Sequence, residues 1–186
     1  MSSESPAVFL DRDGTLNREK GYLYRWADWE WLPGAIEALA ALKEAGRKLV
    51  VITNQAGVAR GLYGPADIEA LHRRVNEDLA GRGLAIDAFY YCPHHPDFTG
   101  PCDCRKPRPG MFLKAARELS LDLSRSAMVG DKLSDVEAGR AAGLGLNILL
   151  RTGYGREMEA LARPGQVIVD DLKAAVPLIL EFQHDR

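Results

Sequence analysis

Two aspartates one residue apart, in Asp11-Arg12-Asp13-Gly14-Thr15, follow directly on the apolar run Ala7–Leu10. In an extended segment alternate side chains point to the same side, so the two carboxylates can act together. One can attack an electrophile while the other moves a proton, and both can serve a hard cation. A phosphoryl group suits such a pair: Mg²⁺ cancels the repulsion between carboxylate and phosphate, and attack gives an acyl phosphate. Asp-Gly is also a common turn signal, so a polar strand-to-turn junction accounts for the same residues without chemistry.

Three further segments bear on that choice. Thr53-Asn54-Gln55-Ala56-Gly57 closes a second apolar run with a hydroxyl and two amides, groups that hydrogen-bond phosphate oxygens but also make plain turns. Arg105-Lys106-Pro107 supplies two cations just before a helix-like stretch, or a surface charge pair. Val129-Gly130-Asp131-Lys132-Leu133-Ser134-Asp135 again follows an apolar run; Asp131 can complete a metal site, and Asp131 or Ser134 can equally cap a helix. A fifth segment has different chemistry. Cys92-Pro93-His94 is followed, after seven residues, by Cys102-Asp103-Cys104, and the chain has no other cysteine. Two ligand pairs joined by a loop containing Pro and Gly suit tetrahedral Zn²⁺; four protein ligands leave no open position, so the ion reads as structural. The alternative is idle thiols beside loop histidines. A zinc staple would fix Arg105 and Lys106, which follow at once, with His95 as a bystander.

These residues need elements to hold them. Apolar runs at Ala7–Leu10, 48–53, 88–91, 127–129, Leu146–Leu150 and Val167–Val169 read as strands. Stretches at 35–45, 65–79, Gly110–Leu119, 134–142 and 172–182 carry helical spacing, the second opened by Pro65. A loop rich in Pro, Gly and Asp spans 93–109. Strands alternating with helices predict an α/β fold, a parallel sheet covered on both faces, with ligands beyond the carboxyl ends of the strands. Three of the four polar motifs lie at such ends. Trp26, Trp29 and Trp31 could form a sugar-stacking platform, but at least one is expected in core or loop packing.

The 186 residues fit one domain, and 46% hydrophobic with 27% charged residues is ordinary for a globular chain. A net charge of −2 gives no clustered basic excess of the kind nucleic-acid binders carry. The polar start shows no signal-peptide pattern and no apolar run is long enough to span a bilayer. A cytoplasmic protein without nucleic-acid or membrane partners is expected, and a monomer, since no extended apolar stripe lies outside the core helices.

Taken together, the acidic D-x-D-G-T, the Thr, the Lys and the G-D-x-x-x-D, in this order, resemble the haloacid dehalogenase superfamily of phosphotransferases over most of the chain. The resemblance implies a Rossmann-like three-layer sandwich with a central, mostly parallel sheet and a minimal cap made of loops, over a single domain of residues 1–186. It implies Asp11 as nucleophile, Asp13 as acid and then base, and Thr53 and Lys106 neutralising phosphoryl oxygens. Mg²⁺ would be held by the Asp11 and Asp131 carboxylates and the Asp13 carbonyl, with Asp135 orienting from behind. With the zinc loop at 92–104 (Cys92, His94, Cys102, Cys104), the chain resembles the histidinol-phosphatase-like subfamily. Its members' pattern implies removal of the 7-phosphate of D-glycero-D-manno-heptose 1,7-bisphosphate in nucleotide-heptose synthesis for lipopolysaccharide core, or else hydrolysis of histidinol phosphate. By the same similarity Arg12, Glu19, Lys20, Gly21, Tyr22, Asn54, Gln55, Ala56, Arg105 and Lys132 contact substrate. The basic set Lys20, Arg60, Arg105, Arg108 and Lys132 suits a second phosphate better than the amine and imidazole of histidinol phosphate. The loop between His94 and Cys102 is shorter than in some relatives, which bears on the pocket rim rather than on zinc. A phosphate- or zinc-binding protein without activity is the alternative outside enzymes, disfavoured because Asp11, Asp13, Thr53, Lys106 and Asp131 are all present.

Overall fold

The computed structural model describes residues 4–184. Six strands, β1 (Ala7–Leu10), β2 (Lys48–Asn54), β3 (Ala88–Cys92), β4 (Ala127–Gly130), β5 (Leu146–Leu150) and β6 (Val167–Val169), form one sheet in the order β3-β2-β1-β4-β5-β6. Every pairing is parallel. The side-chain period of two sends alternate residues into two separate cores. Val8, Leu10, Leu49, Val51 and Val129 join one cluster; Ala7, Phe9, Val50, Ile52 and Met128 join the other. Both faces are therefore apolar, and both are covered by helices.

On the first face lie α1 (Ala35–Glu44) and α8 (Leu172–His184), with Val75 and Leu79 of α3 (Pro65–Ala80) in the same cluster. On the second lie α5 (Gly110–Leu119) and α6 (Leu133–Ala142), which bury Met111, Phe112, Ala115 and Ala138. This is the three-layer α/β sandwich the alternation predicts. The sheet is wholly parallel, where the resemblance implies mostly parallel.

Three strands run one residue further than their apolar runs. β2 extends to Asn54, β3 to Cys92 and β4 to Gly130, because the ladder continues through polar residues: Asn54 sits opposite Cys92 in register. One-turn helices at α2 (Ala56–Ala59), α4 (Pro96–Thr99) and α7 (Gly155–Glu159), and a 3₁₀ turn at Trp26–Asp28, are too short to show a period in sequence. Trp26, Trp29 and Trp31 pack against the first core, and Trp31 Nε1 donates to Asp78 at 3.0 Å, so they are packing residues. Among the described residues no helix is long and apolar enough to cross a membrane.

The segment after β1 turns back on itself. Gly14, at φ +84°, makes the tight turn that lets the Leu16 and Asn17 amides donate to the Arg12 carbonyl. Arg18 N then donates to Glu30 O and Leu32 N to Leu16 O, so residues between these pairs project as a flap beyond the sheet. Together with the loop after β3, this flap is the minimal cap.

Candidate active site

At the carboxyl end of the two central strands, Asp11 follows β1 and Asp131 follows β4; Asp11 N continues the ladder to Val129 O at 3.0 Å. Lys106 reaches them from the loop after β3. Its ammonium donates to Asp11 Oδ1 at 2.8 Å and Ile52 O at 2.7 Å, and it lies 2.7 Å from Asp135 Oδ1. It is 4% exposed, so those partners, and not water, offset its desolvation. Burial would lower the Lys106 ammonium, but Asp11 and Asp135 outweigh it and raise its pKa. Burial pushes the Asp11 carboxyl up, yet Lys106 and then Lys132 hold it below its ordinary value. Asp11 is thus kept ionised in a nearly dry site, as a carboxylate nucleophile must be.

Lys106 is fixed from both sides. Its amide N–H donates to Asn54 Oδ1 and its carbonyl accepts from Asn54 Nδ2, both at 3.1 Å, so one side chain of β2 pairs with the loop as a strand would. Behind it, Arg105 donates to His94 O at 3.1 Å.

The Asp11, Asp131 and Asp135 carboxylates offer oxygens that all lie within 4.8 Å of one another. Two lysines cannot compensate all of them equally. Burial, then the Asp11 charge, raises Asp131 to about 8. Its Oδ2 accepts from Tyr154 N at 2.8 Å, while its buried Oδ1 has no hydrogen-bond partner. An orphaned buried carboxylate oxygen beside a second carboxylate fits a hard divalent cation. The space is tightly shaped: a Cβ on Gly14 would stand 2.2 Å from Asp131 Oδ2, and one on Gly153 2.1 Å.

Asp13 faces the same pocket and is held on several sides. Asn17 donates to Oδ1 at 3.0 Å and Gln55 to Oδ2 at 3.1 Å. Arg12 adds a charged pair, Nε to Oδ2 at 3.0 Å. Arg12, expected among the substrate contacts, does not bring its side chain to the pocket. It is fully buried, donates to Leu23 O and stands 3.5 Å from His72 Nε2. Alternate residues point to opposite sides, so the geometry that joins Asp11 to Asp13 turns Arg12 away from the pocket. Lys20, also expected among those contacts, is not in the pocket wall: its half-exposed ammonium is tied to Asp28 O at 2.9 Å and Glu30 at 3.2 Å.

The pocket itself holds about 440 Å³. The flap contributes Glu19, Gly21 and Tyr22, β2 and α2 contribute Thr53, Asn54, Gln55 and Ala56, and Arg105, Lys106 and Lys132 supply its cations. Lys132 is held by Glu19 at 3.3 Å and lies 4.9 Å over the Tyr154 ring.

Beside it, Cys92, His94, Cys102 and Cys104 bring three sulfurs and Nδ1 within 4.8 Å of one another. Cys102 stands 3.6 Å from Cys92 and 3.5 Å from Cys104, Cys104 lies closer to Cys92 at 2.8 Å, and His94 Nδ1 lies 3.5 Å from Cys104 and 3.9 Å from Cys92. Sulfurs about 2.3 Å from a common tetrahedral centre stand about 3.8 Å apart, near both Cys102 distances, and three thiols with one imidazole are a zinc donor set, so the group fits Zn²⁺. His95 lies outside it, capping α4 through Asp97 N.

The HAD-hydrolase-like family model matches residues 103–175. A D-glycero-beta-D-manno-heptose-1,7-bisphosphate 7-phosphatase from Photorhabdus laumondii subsp. laumondii is 47% identical over 165 residues, covering 86% of this chain and 88% of the relative. The protein of that name from Escherichia coli O6:H1 is 48% identical over 158 residues, 82% and 83% of the two chains. The chain belongs to the heptose 1,7-bisphosphate 7-phosphatase family. A solved member, the D,D-heptose 1,7-bisphosphate phosphatase of B. bronchiseptica complexed with magnesium and phosphate, superposes with a TM-score of 0.86 at 38% identity. That match covers 95% of this chain and 98% of the other.

For this heptose-bisphosphate phosphatase family member, two wall residues escape the sequence motifs: Tyr63 and Tyr154. Gly153 and Gly155 flank Tyr154, and a Cβ on Gly155 would stand 1.5 Å from Leu150 O, so the glycines after β5 were the available signal of a close backbone approach. Ser134 appears in the sequence only as a possible helix cap. Of the other arginines, Arg60 stacks over Phe98 and Tyr22, and Arg108 binds Cys102 O and Asp103.

Proposed function

We propose that this chain hydrolyses the 7-phosphate of D-glycero-β-D-manno-heptose 1,7-bisphosphate to heptose 1-phosphate, in nucleotide-heptose biosynthesis. The observation that carries the reading is Asp11, ionised at 2.8 Å from Lys106 on the floor of a cation-lined pocket. The relatives' names supply the substrate and its β anomer.

An Asp11 oxygen attacks the 7-phosphorus and the bond from phosphorus to the sugar oxygen breaks. Asp13 gives its proton to that oxygen, and the product is the free 7-hydroxyl with an aspartyl-phosphate on Asp11. Water then attacks the same phosphorus, Asp13 takes the water's proton, and Asp11 is restored as inorganic phosphate leaves. Thr53 and Lys106 neutralise phosphoryl oxygens as charge shifts between them. Asp11 and Asp131, with the Asp13 carbonyl, would hold Mg²⁺, which supplies charge neutralisation to the phosphoryl oxygens when bound. Asp135, through its contact with Lys106, orients the lysine. Zn²⁺ in the Cys92–His94–Cys102–Cys104 group would staple the loop that delivers Arg105 and Lys106.

Phosphate release from the β-heptose bisphosphate and from histidinol phosphate, both with Mg²⁺, tests the substrate. A kcat/KM preference of at least about a hundredfold for the bisphosphate is expected, roughly 3 kcal/mol of transition-state binding. A reversed preference would transfer the same chemistry to histidinol phosphate and overturn the heptose assignment.

Gly14→Ala tests the metal arrangement. The substitution forces a positive φ on a residue with a Cβ and drives that Cβ into Asp131. The strain costs about 1–2 kcal/mol, and the displaced carboxylate should raise the Mg²⁺ concentration for half-maximal activity by about tenfold or more. An unchanged Mg²⁺ titration would remove Asp131 from the metal site.

A further inference from the structure

Of the five cations whose charge suits a second phosphate, four have protein partners. Lys20 holds Glu30 and Asp28 O, Arg108 pairs with Asp103, Lys132 is held by Glu19, and Arg105 donates to His94 O. Among the described residues, the Arg60 guanidinium has neither a hydrogen bond nor an ion pair. It lies instead 4.6 Å over the Phe98 ring and 5.7 Å over the Tyr22 ring.

Those contacts fix where it stands. Arg60 ends α2, and its backbone N–H donates to Ala56 O at 3.1 Å, one turn from the pocket wall at Ala56. Tyr22 lines the pocket from the flap and is half-exposed, so it belongs to the mouth and not the floor. Phe98, on α4 of the zinc loop, is half-exposed too, and the His95 ring meets it edge-on with centroids 5.4 Å apart. Stacking uses the flat face of a guanidinium and leaves its in-plane N–H donors unspent. Two rings therefore hold this arginine beside the mouth with its fork of donors free for an anion.

The two phosphates of the bisphosphate stand at opposite ends of the sugar. With the 7-phosphate over Asp11 on the floor, the 1-phosphate lies toward the mouth. Lys106 does not serve it there, because that ammonium is spent on Asp11, Asp135 and Ile52 O. We propose that Arg60 is a specificity-determining residue that grips the non-reacting 1-phosphate from its platform on Tyr22 and Phe98. The inference rests on the heptose bisphosphate reading of the pocket.

Arg60→Gln is assayed on heptose 1,7-bisphosphate and on heptose 7-phosphate under saturating Mg²⁺. The second substrate keeps the reacting ester and lacks only the distal phosphate, so the two truncations form a cycle that isolates the contact. A contact that does not change during the reaction raises KM and spares kcat. KM for the bisphosphate should rise about tenfold or more with kcat within about twofold, and KM for the 7-phosphate should stay within about twofold. Phe98→Leu, which removes one ring of the platform, should move the same KM in the same direction by less. Equal KM increases on both substrates would make Arg60 a brace for the flap and overturn the phosphate contact, as would unchanged kinetics. A parent enzyme with the same KM for both substrates overturns the subsite and leaves the heptose reading standing. A parent that releases no phosphate from the bisphosphate sinks the heptose reading, and the Arg60 assignment with it.

Discussion

Asp11→Asn should lower kcat by at least about 10⁴-fold, equivalent to roughly 5 kcal/mol of transition-state stabilisation, while the protein stays folded. An amide has the carboxylate's shape but is a far weaker nucleophile, so the acyl phosphate cannot form. Folding should survive because Lys106 keeps two of its partners, Asp135 at 2.7 Å and Ile52 O at 2.7 Å. The substitution also removes one of three carboxylates crowded within 4.8 Å, and so relieves a repulsion that burial magnifies. Phosphate release and a thermal melt measure the two halves of the expectation. Turnover equal to the parent's would remove Asp11 as nucleophile; loss of folding would mean that its charge, and not its chemistry, is what the site needs.

Cys102→Ala should abolish zinc binding and lower the thermal midpoint by about 5 °C or more, on the scale of a 2 kcal/mol loss in a chain of this size. Three ligands remain, but the closed tetrahedral set is broken and the metal's binding free energy no longer stabilises the loop. The effect should reach the phosphate site, because Arg105 rests on the His94 carbonyl and Lys106 follows it directly. We expect kcat to fall by about tenfold or more, while the two-point clamp from Asn54 keeps part of the lysine's placement. Metal analysis of the purified parent should find zinc close to one per chain. Zinc-free parent protein with unchanged stability would overturn the structural role.

The sheet was legible because its strands are short apolar runs whose alternate residues serve two cores, a pattern written directly in Ala7–Leu10 and in residues 48–53. Asp11, Thr53 and Asp131 were legible as positions because each polar motif interrupts such a run at its carboxyl end, where ligands sit in α/β sheets. The inward turn of the Arg12 side chain was legible too, by a rule already in use: in an extended segment neighbours cannot share a side. The placement of Lys20 was not legible. Its charge suits a phosphate, but Glu30 and the Asp28 carbonyl claim it, and pairings across a folded flap leave no local trace. Tyr63 and Tyr154 lie on connections whose course depends on packing, and only the adjacent glycines hint at close contact. The one-turn helices fall below the length at which periodicity can be read.

The strand order has a consequence for how such a protein can diversify. Asp11 and Asp131 stand on adjacent strands at the centre of six, braced on either side by further parallel strands, whereas the zinc loop leaves from edge strand β3 and the flap projects clear of the sheet. The reacting centre therefore inherits the stiffness of the interior, and the surfaces that greet the substrate belong to the perimeter. Grafting a different flap or a longer zinc loop onto this frame should redirect selectivity while leaving the phosphoryl chemistry intact. A mutational lineage could thus explore new phosphate esters by editing its margins, without renegotiating its core.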